Sequence, residues 1–267
     1  MTILQAIILG LIQGFTEFVP VSSSGHLVLA HHFFGVTQTG LSFDVALHVG
    51  TLMALLLYFN KELVIIAKSL FVKTPQTRLA WLLVVATIPA VIVGVLLESS
   101  AESAFRSPKL VAINLALVAL LMLWAEQYYH SRVKKPTKLD KVTRKQAIIM
   151  GISQAAAIVP GVSRSGSTIT AGLFTGMDRV AATRFSFLLG IPITAGAILK
   201  VFTDSAALQQ LSDDKSVFVA GILAAFLSGL FAIRFMLRYL AGHSLSVFAY
   251  YRLGLSVVVL LALAFGA

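Results

Sequence analysis

The chain has no cysteine, which excludes disulfides, thiolate metal sites and a cysteine nucleophile. Charge is scarce as well. Asp, Glu, Lys and Arg make up 12% of the 267 residues, whereas a soluble domain carries about 25%. Such a chain cannot cover itself with an ordinary solvated surface. Apolar length takes the place of charge: 58% of residues are hydrophobic. Runs at 41–59, 79–97, 110–124, 185–202, 217–233 and 247–265 each approach the ~20 residues that cross a hydrocarbon core as a helix. The pattern predicts an all-α integral membrane protein with six transmembrane helices. No basic segment precedes the first apolar stretch and no small-residue cleavage site follows it, so no signal peptide is expected.

Acids are the rarer sign, 11 against 21 Lys and Arg, for a formal charge of +10. That balance alone would admit nucleic acid, but the bases sit mostly in short loops beside the apolar runs. Positions 61–78 hold Lys61, Lys68, Lys73 and Arg78. Positions 130–145 hold Arg132, Lys134, Lys135, Lys138, Lys141, Arg144 and Lys145, and positions 234–252 hold Arg234, Arg238 and Arg252. The intervening connections hold only Arg106 and Lys109, then Lys215, beside Glu98, Glu102, Asp204, Asp213 and Asp214. The positive-inside rule places the first three connections in the cytoplasm, and no nucleic acid partner is expected. Trp81, Trp124, Tyr128 and Tyr129 fit the aromatic belts at span ends.

The chain also repeats itself. A shift of 141 residues lays "QAIILGLIQ", from Gln5, on "QAIIMGISQ", from Gln146. The same register pairs Val21, Ser22, Ser24 and Gly25 with Val162, Ser163, Ser165 and Gly166. The expected organisation is a first repeat at 1–130, a basic cytoplasmic connector at 131–145 and a second repeat at 146–267, together one membrane domain. Each repeat has an interrupted segment, 3–34 or 146–176, followed by three spans. Because three is odd, the second copy must be inverted. Pro20 with Gly25, and Pro160 with Gly161 and Gly166, interrupt these segments. They are read as two re-entrant helical hairpins whose loops meet inside the protein, where irregular backbone is tolerable.

Each hairpin carries one charge. Glu17 is the only Asp, Glu, Lys or Arg before Asp44, and Arg164 is the only one from 147 to 177. Intramembrane charges are costly and mark function by default, although a buried pair locking the halves together is the structural alternative. Around them lie "EFVPVSSSGH", with Ser22, Ser23, Ser24 and His26, and "PGVSRSGST", with Ser163, Ser165, Gly166 and Ser167. Hydroxyls and loop amides leading into helices suit phosphate, and Arg matches its oxygens bidentately. Small residues also let membrane helices pack closely. Their concentration on the two loops that hold the lone charges favours an anion site.

"QGFTEFVPVSSSGH" and "PGVSRSG" resemble the two signatures of the bacitracin-resistance type of undecaprenyl pyrophosphate phosphatase, and the resemblance spans essentially the whole chain. It implies a multi-pass enzyme of the bacterial inner (cytoplasmic) membrane. Such an enzyme converts undecaprenyl diphosphate to undecaprenyl phosphate, recycling the carrier for cell-wall synthesis and conferring bacitracin resistance. It further implies an active site facing the periplasm or cell exterior and a divalent metal, Mg²⁺ or Ca²⁺. The expected partners are the polyprenyl diphosphate lipid and the bilayer, with room for a homodimer. Carried over by motif, Glu17, Ser23, His26 and Arg164 are the expected catalytic residues. Glu17 is also the expected metal ligand. Gln13, Ser22, Ser24, Ser163, Ser165, Gly166 and Arg164 are expected to bind substrate. Gln13 departs from the many members with Glu at its position, which leaves Glu17 as the main anionic ligand.

Ser23, activated by His26 or Glu17, is the expected nucleophile, with His26 as nucleophile or general base the alternative. The membrane type-2 phosphatidic acid phosphatases share "SGH" and "SR", but no histidine follows Ser-Arg here within "SRSGSTITAGLFTGMD", which rules them out. The rival function is an inverted-repeat flippase or transporter of an anionic lipid or small anion. A carrier needs charge compensation but no nucleophile beside a base. Asp44 and His48, four apart on one helix face, are read as more often structural than ligating. His31, His32, His130 and His243 are read as interfacial, without distinct partners.

Overall fold

The computed structural model describes residues 1–34, 40–97, 107–201, 203 and 205–265. Glu98, Glu102, Arg106 and Asp204, which enter the loop-charge argument, lie outside these. Twelve α-helices are present among the described residues: α1 (Ile3–Phe18), α2 (Ser23–Phe34), α3 (Gly40–Tyr58), α4 (Asn60–Lys68), α5 (Thr77–Leu96) and α6 (Pro108–Arg132), then α7 (Arg144–Ala156), α8 (Arg164–Phe174), α9 (Arg179–Val201), α10 (Ser205–Asp213), α11 (Lys215–Tyr239) and α12 (Ser246–Ala264).

Five of them, α5, α6, α9, α11 and α12, are long and apolar enough to cross a membrane. A sixth is reached when α3 and α4, joined through an 80° bend, are taken together as one span. The expected six-span all-α membrane fold is present. By contrast α1, α2, α7 and α8 have 16, 12, 13 and 11 residues. At ~1.5 Å per residue none reaches across ~30 Å of hydrocarbon, and each pair turns back as a hairpin. Outward faces carry Val95, Leu96, Phe231 and Val258, while Phe18, Met122, Phe185 and Phe187 fill the interior. Trp81 and Trp124 are more than half exposed.

The 141-residue offset reappears in backbone detail. Thr2 and Gln5 form a capping box at the start of α1, and Thr143 and Gln146 form the same box at α7. Ser22 and Ser163 both adopt positive φ, 76° and 74°, a conformation that non-glycine residues hold only when their surroundings enforce it. The offset counterparts α6 and α12 run antiparallel: Ser256 bonds to Ala112, Arg252 to Leu115, and the Leu245 N–H to Glu126. The relation between the repeats is therefore an inversion.

The repeats are also interlocked. α1 of the first packs along α11 of the second, and α7 of the second along α5 of the first. Glycine makes this approach possible. A Cβ at Gly14 would lie 1.9 Å from Ser228 Oγ and 2.3 Å from the Ala225 carbonyl; at Gly151 it would lie 2.2 Å from the Ala86 carbonyl. Without a hydrophobic driving force in lipid, such small-residue seams supply the packing that joins helices.

One basic-loop assignment is corrected. Arg252, grouped above with a cytoplasmic connection, lies inside α12 and is 0% exposed. Its guanidinium donates to the carbonyls of Pro20, in the first hairpin loop, and of Gly161 and Val162, in the second, at 3.2, 2.7 and 3.2 Å. Its other bonds go to the Asn114 and Leu115 carbonyls of α6. The hairpins leave carbonyls that lipid cannot satisfy, and a buried fork of five N–H donors satisfies them. Two further ion pairs escaped the sequence reading. Glu126 of α6 accepts from Arg179 of α9, which lies over the Tyr129 ring at 4.4 Å, and Arg184 of α9 donates to Glu62 of α4.

Two outcomes test this architecture in detergent by thermal unfolding. Gly14→Leu should destabilise the protein by roughly 1–3 kcal/mol through overpacking, whereas Gly196→Ala, with nothing within 4 Å of the added carbon, should not. Arg252→Met should cost about 3 kcal/mol or more by leaving several buried carbonyls unpaired. Arg252→Lys should recover little of this, since an ammonium lacks the planar fork.

Candidate active site

Each hairpin presents a polar side chain at the same structural position. Ser23 opens α2 and Arg164 opens α8, and the 141-residue offset places one on the other. Glu17 sits in the last turn of α1, 8% exposed. Its Oε1 accepts from Arg164 Nη2 at 2.9 Å. Its Oε2 accepts from Ser23 Oγ at 2.6 Å and from Gln13 Nε2 at 3.1 Å. One carboxylate thus joins α1, the start of α2 and the start of α8. Gln13 and Glu17 meet because an i, i+4 spacing places them on one helix face. Arg164 is seated from the other side by α9: its Nη1 donates to the Ser186 carbonyl at 3.0 Å. A Cβ at Gly190 would lie 2.1 Å from that nitrogen, so any larger residue there would displace the guanidinium from this seat.

The structure separates the two candidate activators of Ser23. Glu17 already accepts the Ser23 hydroxyl proton. His26 instead places Nδ1 2.7 Å from the Ser22 carbonyl and Nε2 2.8 Å from the Tyr251 hydroxyl, with the two rings stacked. A carbonyl only accepts, so Nδ1 carries the hydrogen and Nε2 accepts from Tyr251 in the neutral ring. Tyr251, on α12, escaped the sequence reading, because nothing in its local context distinguishes it from a belt aromatic.

Two of the histidines read as interfacial are corrected. His31 is not an unpartnered interfacial residue: its Nε2 lies 2.7 Å from Asp44. His243 stacks on Tyr239 with centroids 4.5 Å apart. Asp44 and His48 do not act as one unit, since His48 turns its Nε2 to within 3.7 Å of Glu17 Oε2.

The expected substrate-binding hydroxyls are largely spent on the loops. Ser22 Oγ accepts from the Gly25 N–H at 3.2 Å, and Ser163 Oγ from the Gly166 N–H at 3.0 Å. Ser24 and Ser165 lie 3.4 Å from these caps, and Ser165 also donates to the Val19 carbonyl. Ser22, Ser163 and Ser165 are buried, at 0, 4 and 1% exposure. These groups hold the strained turns, and Ser23 and Arg164 are the polar side chains they present.

A hard divalent cation requires oxygen donors. The Glu17 carboxylate and Ser23 Oγ supply them, and Gln13 Oε1 is a third that is buried without a hydrogen-bond partner. That unused acceptor fits a cation. Among the described residues no group of three His, Cys, Asp or Glu side chains surrounds a common point, so an ion here would share its shell with a phosphate.

The family model described as bacitracin resistance protein BacA matches residues 6–258. Similar relatives are undecaprenyl-diphosphatases. The one from Moorella thermoacetica is 47% identical over 261 residues, covering 97% of each chain. The one from Pelotomaculum thermopropionicum is 43% identical and covers 98% of each. The one from Gemmatimonas aurantiaca is 45% identical and covers 99% of each. A match running from α1 almost to the end of α12, through both hairpins and their paired charges, shows that the chain belongs to the bacitracin resistance protein BacA family.

Proposed function

We propose that this protein hydrolyses undecaprenyl diphosphate to undecaprenyl phosphate and inorganic phosphate, and so recycles the lipid carrier for cell-wall synthesis and confers bacitracin resistance. Relatives named undecaprenyl-diphosphatase along the whole chain support the activity. The observation that carries the mechanism is the Ser23–Glu17–Arg164 linkage across two hairpins. A transporter of an anionic lipid would use Arg164 but would gain nothing from a hydroxyl bonded to a carboxylate.

In the proposed reaction Ser23 Oγ attacks the terminal phosphorus and its proton passes to Glu17 Oε2. The bridging P–O bond breaks, and undecaprenyl phosphate leaves with the electron pair. Water then adds its oxygen to the phosphoserine phosphorus, the P–Oγ bond breaks, and Glu17 returns its proton to Oγ. Arg164 offsets the charge of the diphosphate and of the transferring group. His26, one turn along α2 from Ser23, is assigned to the lipid-side phosphate. A divalent cation, Mg²⁺ or Ca²⁺, held by Glu17 and Gln13 Oε1 would add charge neutralisation at the phosphates. The protein resides in the bacterial inner membrane with this site open to the periplasm, and functions alone or as a homodimer.

Phosphate release from a polyprenyl diphosphate in detergent, with and without chelator, tests the assignment. Glu17→Gln, Ser23→Ala and Arg164→Lys should each lower kcat by at least ~100-fold, and chelation should stop turnover. Wild-type rates in the Ser23 variant would overturn the covalent step; no release by a folded wild type would shift the function to anionic-lipid transport. Orientation has its own check. The natural chain has no cysteine, so a single Lys138→Cys should react with an impermeant thiol reagent only from the cytoplasmic side.

A further inference from the structure

We infer that the isoprenoid chain of the substrate leaves the active site along the seam between α2 and α12, which holds the chain's first units beyond the diphosphate. The inference rests on the hydrolase reading of the site given above.

α2 and α12 both pack against α6, and two helices lying on a third leave a furrow between them. Part of that furrow is a cavity of about 270 Å³, lined by Leu29 and Phe33 of α2 and by Leu255, Val258, Val259 and Ala262 of α12. No polar side chain is among them. Leu29 and Val259 belong to a buried cluster with Val111, Ala112 and Leu115, so α6 closes the back. The front is open, with Val258 63% and Phe33 39% exposed. In a membrane that mouth faces hydrocarbon.

The furrow is continuous with the site. His26 and Tyr251 stand at its polar end, His26 Nε2 lying 2.8 Å from the Tyr251 hydroxyl with the rings stacked. Leu29 and Phe33 follow His26 by three and seven residues, and Leu255 and Val258 follow Tyr251 by four and seven. Those spacings keep each series on one helix face. The same two helices therefore present a hydrogen-bonding pair and, one turn further on, an apolar trough. A polyprenyl diphosphate has the same order, phosphates first and chain after. With its terminal phosphorus at Ser23 and its lipid-side phosphate at His26, the chain begins at this end of the furrow. The cavity is far too small for a whole undecaprenyl chain, so it takes the proximal isoprene units and the remainder lies in the bilayer. Lipid already surrounds the chain, so the seam gains by close packing and not by dehydration. Such contacts are the same before and during phosphoryl transfer, and they act on KM and not on kcat.

The test separates long chains from short ones. Steady-state hydrolysis in detergent is measured with a long-chain polyprenyl diphosphate and with dimethylallyl diphosphate, which carries a single isoprene unit. Wild type is compared with Val258→Trp, and with Leu227→Trp on α11 as control. Val258 and Leu227 are both 63% exposed, so neither indole is forced into the core. Val258→Trp should raise KM for the long-chain substrate about 10-fold or more with kcat unchanged. Both constants for dimethylallyl diphosphate should stay at wild-type values, and Leu227→Trp should change nothing. A second readout needs no turnover. A polyprenyl phosphate bearing a diazirine on the isoprene unit nearest the phosphate should, on irradiation, label α2 and α12 of the full-length protein, and Val258→Trp should lose that label. An unchanged long-chain KM in folded Val258→Trp would overturn the inference, as would an equal rise for both substrates. So would labelling of other helices, or displacement of the analogue by phosphatidylglycerol as readily as by unlabelled polyprenyl phosphate, which would make the furrow a seat for bulk lipid. Phosphate release with the label elsewhere would remove only the chain path. Labelling of the seam in a wild type that releases no phosphate would keep the path and remove the hydrolase reading.

Discussion

A chain that turns back inside a membrane protein must find partners for the backbone carbonyls it uncovers, and in this fold Arg252 supplies them. Its guanidinium bonds to Pro20 in one hairpin loop and to Gly161 and Val162 in the other, while α6 fixes its remaining donors. Asn114 of α6 adds a bond to the Pro160 carbonyl. With the loops held by one rigid fork, the starts of α2 and α8 have a defined separation. The contact between Glu17 and Arg164 depends on that separation. A buried charge surrounded by carbonyl dipoles is costly to make and costlier to break, so the arrangement gives the hairpins little freedom to slide.

The ion pair between Glu17 and Arg164 invites a structural reading, because it does tie the two repeats together. Its surroundings argue for more. A locking pair needs two partners, yet this carboxylate also holds the Ser23 hydroxyl and the Gln13 amide. The strained backbone at Ser22 and Ser163 is stored at the turns that aim Ser23 and Arg164. Strain persists where the surrounding structure over-determines it. Here the caps at Gly25 and Gly166 and the Arg252 fork provide that over-determination. The cost is carried by residues that need not contact the substrate themselves.

Duplication explains how a single site arises from two hairpins. The repeats are inverted, so their loops approach from opposite sides and meet, and their seams are exchanged, with α1 on α11 and α7 on α5. At equivalent positions the copies have diverged to Ser23 in one and Arg164 in the other, a hydroxyl and a cation. Glu17 meets Ile158 in the same register. An ancestral symmetry of backbone therefore carries an asymmetric chemistry.

The sequence by itself determined the membrane class, the spans, the hairpins and the internal repeat, because each rests on composition, local periodicity or identity at a constant offset. It also isolated Glu17, Ser23 and Arg164, since lone charges and hydroxyls in apolar segments stand out without coordinates. Only the tertiary structure decided which groups meet. Arg252 reads as one more loop cation until its burial is seen, and Ser22 and Ser163 read as donors until they are found capping their own turns. Asp44 and His48 share a helix face, yet one turns to His31 and the other to Glu17. Tyr251, Ser186 and Gly190 carry no local signal at all. The reason is that one-dimensional patterns report how a segment meets its solvent. Pairings between segments more than a hundred residues apart are set by helix packing, by the close approach that glycine permits, and by the requirement that every buried polar group find a partner.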